Sequence, residues 1–116
     1  MILYVVVPCY NEEDVLPETA KRLRSKMIDL EGKGIISGES RVLFVNDGSK
    51  DDTWNIIRKL HEETSLFQGL SLSRNRGHQN ALLAGLMTVK DKCDACISMD
   101  ADLQDDINAM DEMIEQ

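Results

Sequence analysis

Apolar residues along the chain follow two rhythms. Ile2 to Val7 (ILYVVV) is an unbroken, largely β-branched run, too short for a helix and apolar on both faces, as a central parallel strand requires. Pro8 is expected to end it. Val15, Leu16, Leu23, Met27 and Leu30 then return at spacings near the helical period, behind Glu12, Glu13 and Asp14. That acid cluster suits the positive end of a helix dipole, in the first turn. Gly32, Gly34 and Gly38 mark the following loop. Arg41 to Asn46 (RVLFVN) is a second buried strand, turned by Asp47-Gly48-Ser49. Asp51 or Asp52 can cap the next helix, whose stripe is Trp54, Ile57, Leu60 and Thr64. Gln68 to Ser73 reads as a third, less apolar strand nearer an edge, and Gln79 to Lys90 as an Ala- and Leu-rich helix. Ala95 to Met99 is a fourth strand, with a further helix from Asp105 onward.

Alternation of strand and helix implies an α/β layer architecture, with a mainly parallel sheet and helices on both faces. Ligands of such sheets collect outside the carboxyl ends of the strands. Four polar segments fall there: Pro8 to Glu12, Asn46 to Ser49, Ser73 to Gly77 and Asp100 to Gln104. No internal repeat, low-complexity stretch or interdomain linker interrupts the pattern.

Composition sharpens this picture in one respect. The 116 residues carry 21 acids and 13 bases, a net charge of -8, yet seven of the acids and none of the bases lie from Asp100 onward. The excess therefore begins at an Asp-x-Asp. With 42% hydrophobic residues the chain suits one globular domain. An acidic chain without a basic run argues against nucleic-acid binding. No apolar stretch approaches the length needed to span a bilayer, and no signal peptide is evident. Three cysteines, an odd number, fit a reduced, cytoplasmic setting.

Each loop has a chemical and a plain reading. Asp100 and Asp102 could converge on one point and, with the Gln104 carbonyl, supply hard oxygen donors for Mg²⁺ or Mn²⁺. They are equally an acidic turn before a solvated helix. Asp47 could accept from a base N–H or a sugar hydroxyl, or simply build an Asp-Gly-Ser turn. Tyr10 and Pro8 could wall a base pocket. Glu12 could join them or only face the helix dipole. Arg74 and Arg76 flank Asn75 ahead of a helix, where they could meet a diphosphate or form a solvated pair. His78 could be a catalytic group but reads more simply as a helix start. Cys93 and Cys96 have C-x-x-C spacing without a second pair to complete a zinc site, so they read as structural thiols, Cys96 inside a buried strand. Met87, Met99, Met110 and Met113 fit core spacing.

Together the four loops carry a resemblance. Val7-Pro8-Cys9-Tyr10-Asn11-Glu12-Glu13, Val45-Asn46-Asp47-Gly48-Ser49, Arg74-Asn75-Arg76-Gly77-His78-Gln79 and Asp100-Ala101-Asp102-Leu103-Gln104-Asp105 resemble the successive motifs of the family 2 glycosyltransferases. The likeness is to the branch that loads sugars onto polyprenyl phosphates, which includes dolichyl-phosphate mannosyltransferases and bactoprenol glucosyltransferases. It implies the GT-A (Rossmann-like) fold and an inverting, metal-assisted transfer of a hexose from a UDP- or GDP-sugar to a lipid phosphate. Pro8, Tyr10, Asn11, Glu12, Asp47, Arg74, Asp100, Ala101 and Asp102 would bind the nucleotide-sugar; Asp100, Asp102 and Gln104 would hold the divalent cation. Residues 1–116 would be the N-terminal, donor-binding part, with catalytic groups beyond Gln116, so this piece alone should bind nucleotide weakly and lack transferase activity. The whole protein would work at the cytoplasmic face of a membrane, and the truncated surface could self-associate. Asp106 and Ile107 stand where relatives often carry prolines. The competing readings are a non-catalytic nucleotide-binding or structural α/β domain, and a haloacid-dehalogenase-type phosphatase. The phosphatase normally carries its Asp-x-Asp after the first strand.

Overall fold

A computed structural model describes residues 1–101. It contains strands β1 (Leu3–Cys9), β2 (Arg41–Asp47), β3 (Phe67–Leu72) and β4 (Ala95–Ser98), alternating with helices α1 (Leu16–Gly32), α2 (Thr53–Glu63) and α3 (His78–Val89). The strands form one sheet in the order β3-β2-β1-β4, every pairing parallel. The expected helix after Asp105 lies outside the described residues.

Alternation along β1 sorts the core into two layers. Leu3, Val5, Val7 and Cys9 join Val42, Phe44, Ile57 and the α1 stripe Leu16, Leu23, Met27 and Leu30 on one face. Tyr4 and Val6 join Leu43, Val45, Ala81 and Val89 of α3 on the other. α1 and α2 thus cover one face and α3 the other, which is why β1 had to be apolar on both. On α3, Gly85 lets the helix sit close: a Cβ there would lie 2.5 Å from Val6 Cγ1 and 2.8 Å from Val45 Cγ2. Among the described residues β3 is an edge strand, as its weaker apolar pattern suggested. Among the described residues no helix is long and apolar enough to cross a membrane.

Pro8 does not end β1. It pairs with Val45, and the strand continues through Cys9. Successive residues of a parallel strand turn their polar groups to alternate neighbours. Ile2 and Val6 present theirs to the β4 side, since their carbonyls accept from Ala95 and Met99. Pro8 shares that parity and lies beyond the last β4 pairing, Val6 with Ser98, so no ladder bond is lost by its missing N–H.

The helix starts also differ from expectation. Glu12, Glu13 and Asp14 precede α1 instead of occupying its first turn, whose acid is Glu18. The Glu12 carbonyl accepts from the Val15 and Leu16 N–H groups, forming a preliminary turn. Glu13 turns away to α2, accepting from the Asp52 N–H at 3.3 Å. At α2 it is Asp51, two residues before the first helical residue, that accepts from the Thr53 N–H at 3.0 Å and the Glu13 N–H at 3.2 Å. Slight burial raises the Asp51 pKa, but these bonds and one from the Thr53 hydroxyl outweigh it and hold the carboxyl below its ordinary value. Thr64 is extended and ends α2 instead of extending its stripe.

Two apolar expectations fail at the surface. Met87 is exposed on α3, beside Leu83. Cys96 is exposed on β4, whose outer side carries no partner strand among the described residues. Partial desolvation of its sulfur, and then the neighbouring Cys93, push the Cys96 thiol up to about 11.

Candidate nucleotide-sugar site

Strand order reverses across β1, between its neighbours β2 and β4, and crevices open at such a switch. Here lies a cleft of about 360 Å³. Pro8, Cys9, Tyr10 and Glu12 line it from the end of β1, Asp47 from β2, Asn75 from the loop after β3, His78 from α3, and Asp100 and Ala101 from the end of β4. Every one of the four polar segments therefore contributes.

The loop after β1 is braced against the turn after β2. The Asn11 N–H donates to Ser49 Oγ at 3.0 Å, Asn11 Oδ1 accepts from the Lys50 N–H at 2.8 Å, and the Glu12 N–H donates to Thr53 Oγ1 at 2.9 Å. Asn11 holds a left-handed φ of 53°, a conformation asparagine tolerates better than most residues. Its amide thus shapes the loop, and Tyr10 and Glu12 on either side line the cleft. Tyr10 is 40% exposed, and an aromatic ring at a cleft wall is the side chain on which a base stacks.

Asp47 is buried at the end of β2, and its Oδ1 accepts from the Arg76 N–H at 2.7 Å. This bond fastens the loop after β3 to the cleft. Gly48 permits the approach: it has φ +66°, and a Cβ would lie 2.3 Å from both Arg74 C and Asn75 N. Asn75 lines the cleft, whereas Arg74 is exposed and meets Gly48 through its backbone.

Asp100 follows β4, and its Oδ1 lies 3.1 Å from His78 Nε2. His78 begins α3 as expected, yet it also belongs to the cleft. Ala101 is buried, its carbonyl accepting from Thr19 Oγ1 at 2.6 Å. Thr19 and Asn75 were not singled out: a polar residue within an apolar helix stripe was the only mark of the first, and two flanking arginines obscured the second. Among the described residues no three His, Cys, Asp or Glu side chains come together as a metal site. Asp102 and Gln104 lie outside the described residues.

Charge in the cleft is one-sided. Glu12, Asp47 and Asp100 reach it from three different strand ends, and among the described residues that line it only His78 is basic. A diphosphate would be repelled here unless a cation accompanied it. Carboxylate oxygen is also the donor chemistry that Mg²⁺ and Mn²⁺ prefer.

Cys9 lies at the cleft floor, 1% exposed, with its Sγ 3.4 Å from the Val7 carbonyl. Burial foremost, then the Glu12 charge, push its thiol far above the ordinary 9.0. The folded chain therefore keeps this proton where the unfolded chain releases it. Its contribution to stability is complete below about pH 9 and is lost as pH rises toward the raised folded value. We expect urea unfolding above pH 9 to show a loss of up to about 1.4 kcal/mol per pH unit from this group. Cys9→Ala should flatten that slope; an unchanged slope would assign it to other groups.

Comparison with known proteins bears on the family and the fold. The sequence profile of Glycosyl transferase family 2 matches residues 4–116. The chain is 48% identical over 109 residues to the uncharacterized glycosyltransferase YkoT of Bacillus subtilis (strain 168), covering 94% of this chain and 32% of that protein. It is 40% identical over 116 residues to the prophage bactoprenol glucosyl transferase homolog of Escherichia coli (strain K12), covering 100% of this chain and 35% of the relative. The chain thus spans about a third of the length of these curated relatives. Among solved structures, the mannosyltransferase PcManGT of Pyrobaculum calidifontis, in complex with GDP-Man and Mn²⁺, superposes with a TM-score of 0.68 at 22% identity, over 86% of this chain and 27% of that one. TarS 1-349 of S. aureus in complex with UDP-GlcNAc gives 0.65 at 24% identity, over 97% and 32%. Both likenesses are of fold, and that fold is GT-A. With its profile matched from Tyr4 to the last residue, the chain belongs to glycosyl transferase family 2.

Proposed function

We propose that this chain is the donor-binding part of a glycosyltransferase that moves a hexose from a UDP- or GDP-sugar to a polyprenyl phosphate, with inversion and with help from a divalent cation. The observation that carries the reading is the convergence of Glu12, Asp47 and Asp100 beside the exposed Tyr10 in one cleft at the switch point of a parallel sheet. The bactoprenol relatives support a lipid phosphate acceptor, and the ligands named for PcManGT and TarS support a nucleotide-sugar donor. The whole protein would act at the cytoplasmic face of a membrane.

In this reading Tyr10 and Pro8 wall the base, while Glu12 and Asp47 accept from base or ribose. Asp100, with Asp102 and Gln104, would hold Mg²⁺ or Mn²⁺, which when bound neutralises charge on the departing diphosphate. The acceptor phosphate is already an anion and needs no activating base at the donor site, so the residues here contribute by holding the donor and stabilising the leaving group.

Calorimetric titration of UDP and of GDP, each with and without Mn²⁺, tests this. We expect one nucleotide to bind only with the metal, weakly, and Asp102→Asn to lower that affinity by at least about tenfold. Binding indifferent to both metal and substitution would favour a structural or metal-free nucleotide-binding domain.

A further inference from the structure

Thr19 sits near the start of α1 and is 2% exposed. Threonine inside a helix commonly returns its hydroxyl to the carbonyl four residues back. Thr88 does so in α3, donating to the Ala84 carbonyl at 2.8 Å. Thr19 instead sends its hydroxyl across the chain, donating at 2.6 Å to the Ala101 carbonyl, 82 residues away. The bond is sequestered, since Ala101 is only 1% exposed. Ala101 is the residue between Asp100 and Asp102.

We propose that Thr19 is a positioning residue for the Asp100–Ala101 turn after β4, fixing the Ala101 carbonyl so that the Asp100 carboxylate is presented to a cation-bound diphosphate. A second grip comes from the other face of the sheet, where His78 on α3 meets Asp100 at 3.1 Å. The turn is thereby held between α1 and α3, and burial of the Thr19 bond leaves no solvent to replace it. Thr19 touches no ligand; it acts through the backbone of the turn. The functional half of this inference rests on the donor-site reading, whereas the structural half does not.

Thr19→Val removes the hydroxyl at nearly constant volume, and Thr19→Ser restores it without the methyl. Two measurements separate the roles: amide hydrogen exchange over 99–101, with Val42 to Val45 as internal reference, and NMR titration of UDP and GDP with Mn²⁺. For Thr19→Val we expect exchange at 99–101 to quicken by about tenfold or more while β2 is unchanged, with metal-dependent nucleotide affinity about tenfold lower. Thr19→Ser should return both toward the parent. Parent-like exchange in Thr19→Val would overturn the proposal. So would quickened exchange with unchanged affinity, or losses that serine does not rescue, which would point to the methyl group. If the parent chain bound neither nucleotide, the donor-site reading would fail, and the exchange comparison would still decide whether Thr19 sets the turn.

Discussion

Gly48→Ala should eliminate measurable nucleotide binding and lower the unfolding free energy by about 2–4 kcal/mol, from left-handed backbone strain and overpacking together. The new Cβ would stand 2.3 Å from Arg74 C and Asn75 N, both main-chain atoms that cannot rotate away as a side-chain tip would. The loop after β3 must therefore move. That motion would strain the 2.7 Å bond between the Arg76 N–H and Asp47 and withdraw Asn75 from the cleft. Gly77→Ala is the natural control: its φ is +90°, but nothing lies within 4 Å of its added Cβ, so it incurs backbone strain without overpacking. Urea denaturation and NMR titration of the two variants check this. Equal effects at both positions would show that φ alone matters, and the close approach at Gly48 would lose its significance.

Phe44→Ala is expected to have the largest effect on stability, about 3–5 kcal/mol. Phe44 is fully buried in the middle of β2, its ring centroid 5.6 Å from that of Phe67 on the edge strand. It fills the layer beneath α1 and α2, where Val5, Val7 and Ile57 also lie. Truncation would open a cavity bounded by strands that cannot collapse without breaking their ladders. Against a typical domain stability of about 5–15 kcal/mol this is a large fraction. Its side chain is not among those that line the cleft, so the molecules that remain folded at low temperature should bind nucleotide as the parent does. Chemical denaturation monitored by circular dichroism measures the loss, and a loss below about 1 kcal/mol would mean that the layer repacks freely.

Much of the fold was legible because burial imposes a period. β1 read as a two-faced central strand, β3 as an edge and α1 as a stripe, and each is so placed. Local chemistry was less reliable where its partner came from a distant segment. Glu13 sits beside α1 in sequence yet accepts from the start of α2. Pro8 looked like a terminator, and only the staggered length of β4 shows why a strand can contain it. Cys96 and Met87 fit core periods, but period reports spacing and not which neighbours exist to cover a face.

The candidate site divides in the same way. From the sequence alone came the α/β order, the four polar segments at the strand ends, and the motif likeness that the family match bears out. Tertiary structure alone decided that Asn75 and His78 line the cleft, that the Arg74 backbone packs against Gly48, and that Asp47 fastens a loop. It also paired Thr19 with Ala101 across 82 residues. Periodicity and motif order are properties of neighbours in the chain, so they survive in a string of letters. A hydrogen bond between segments depends on distances that exist only after the sheet has brought those segments together.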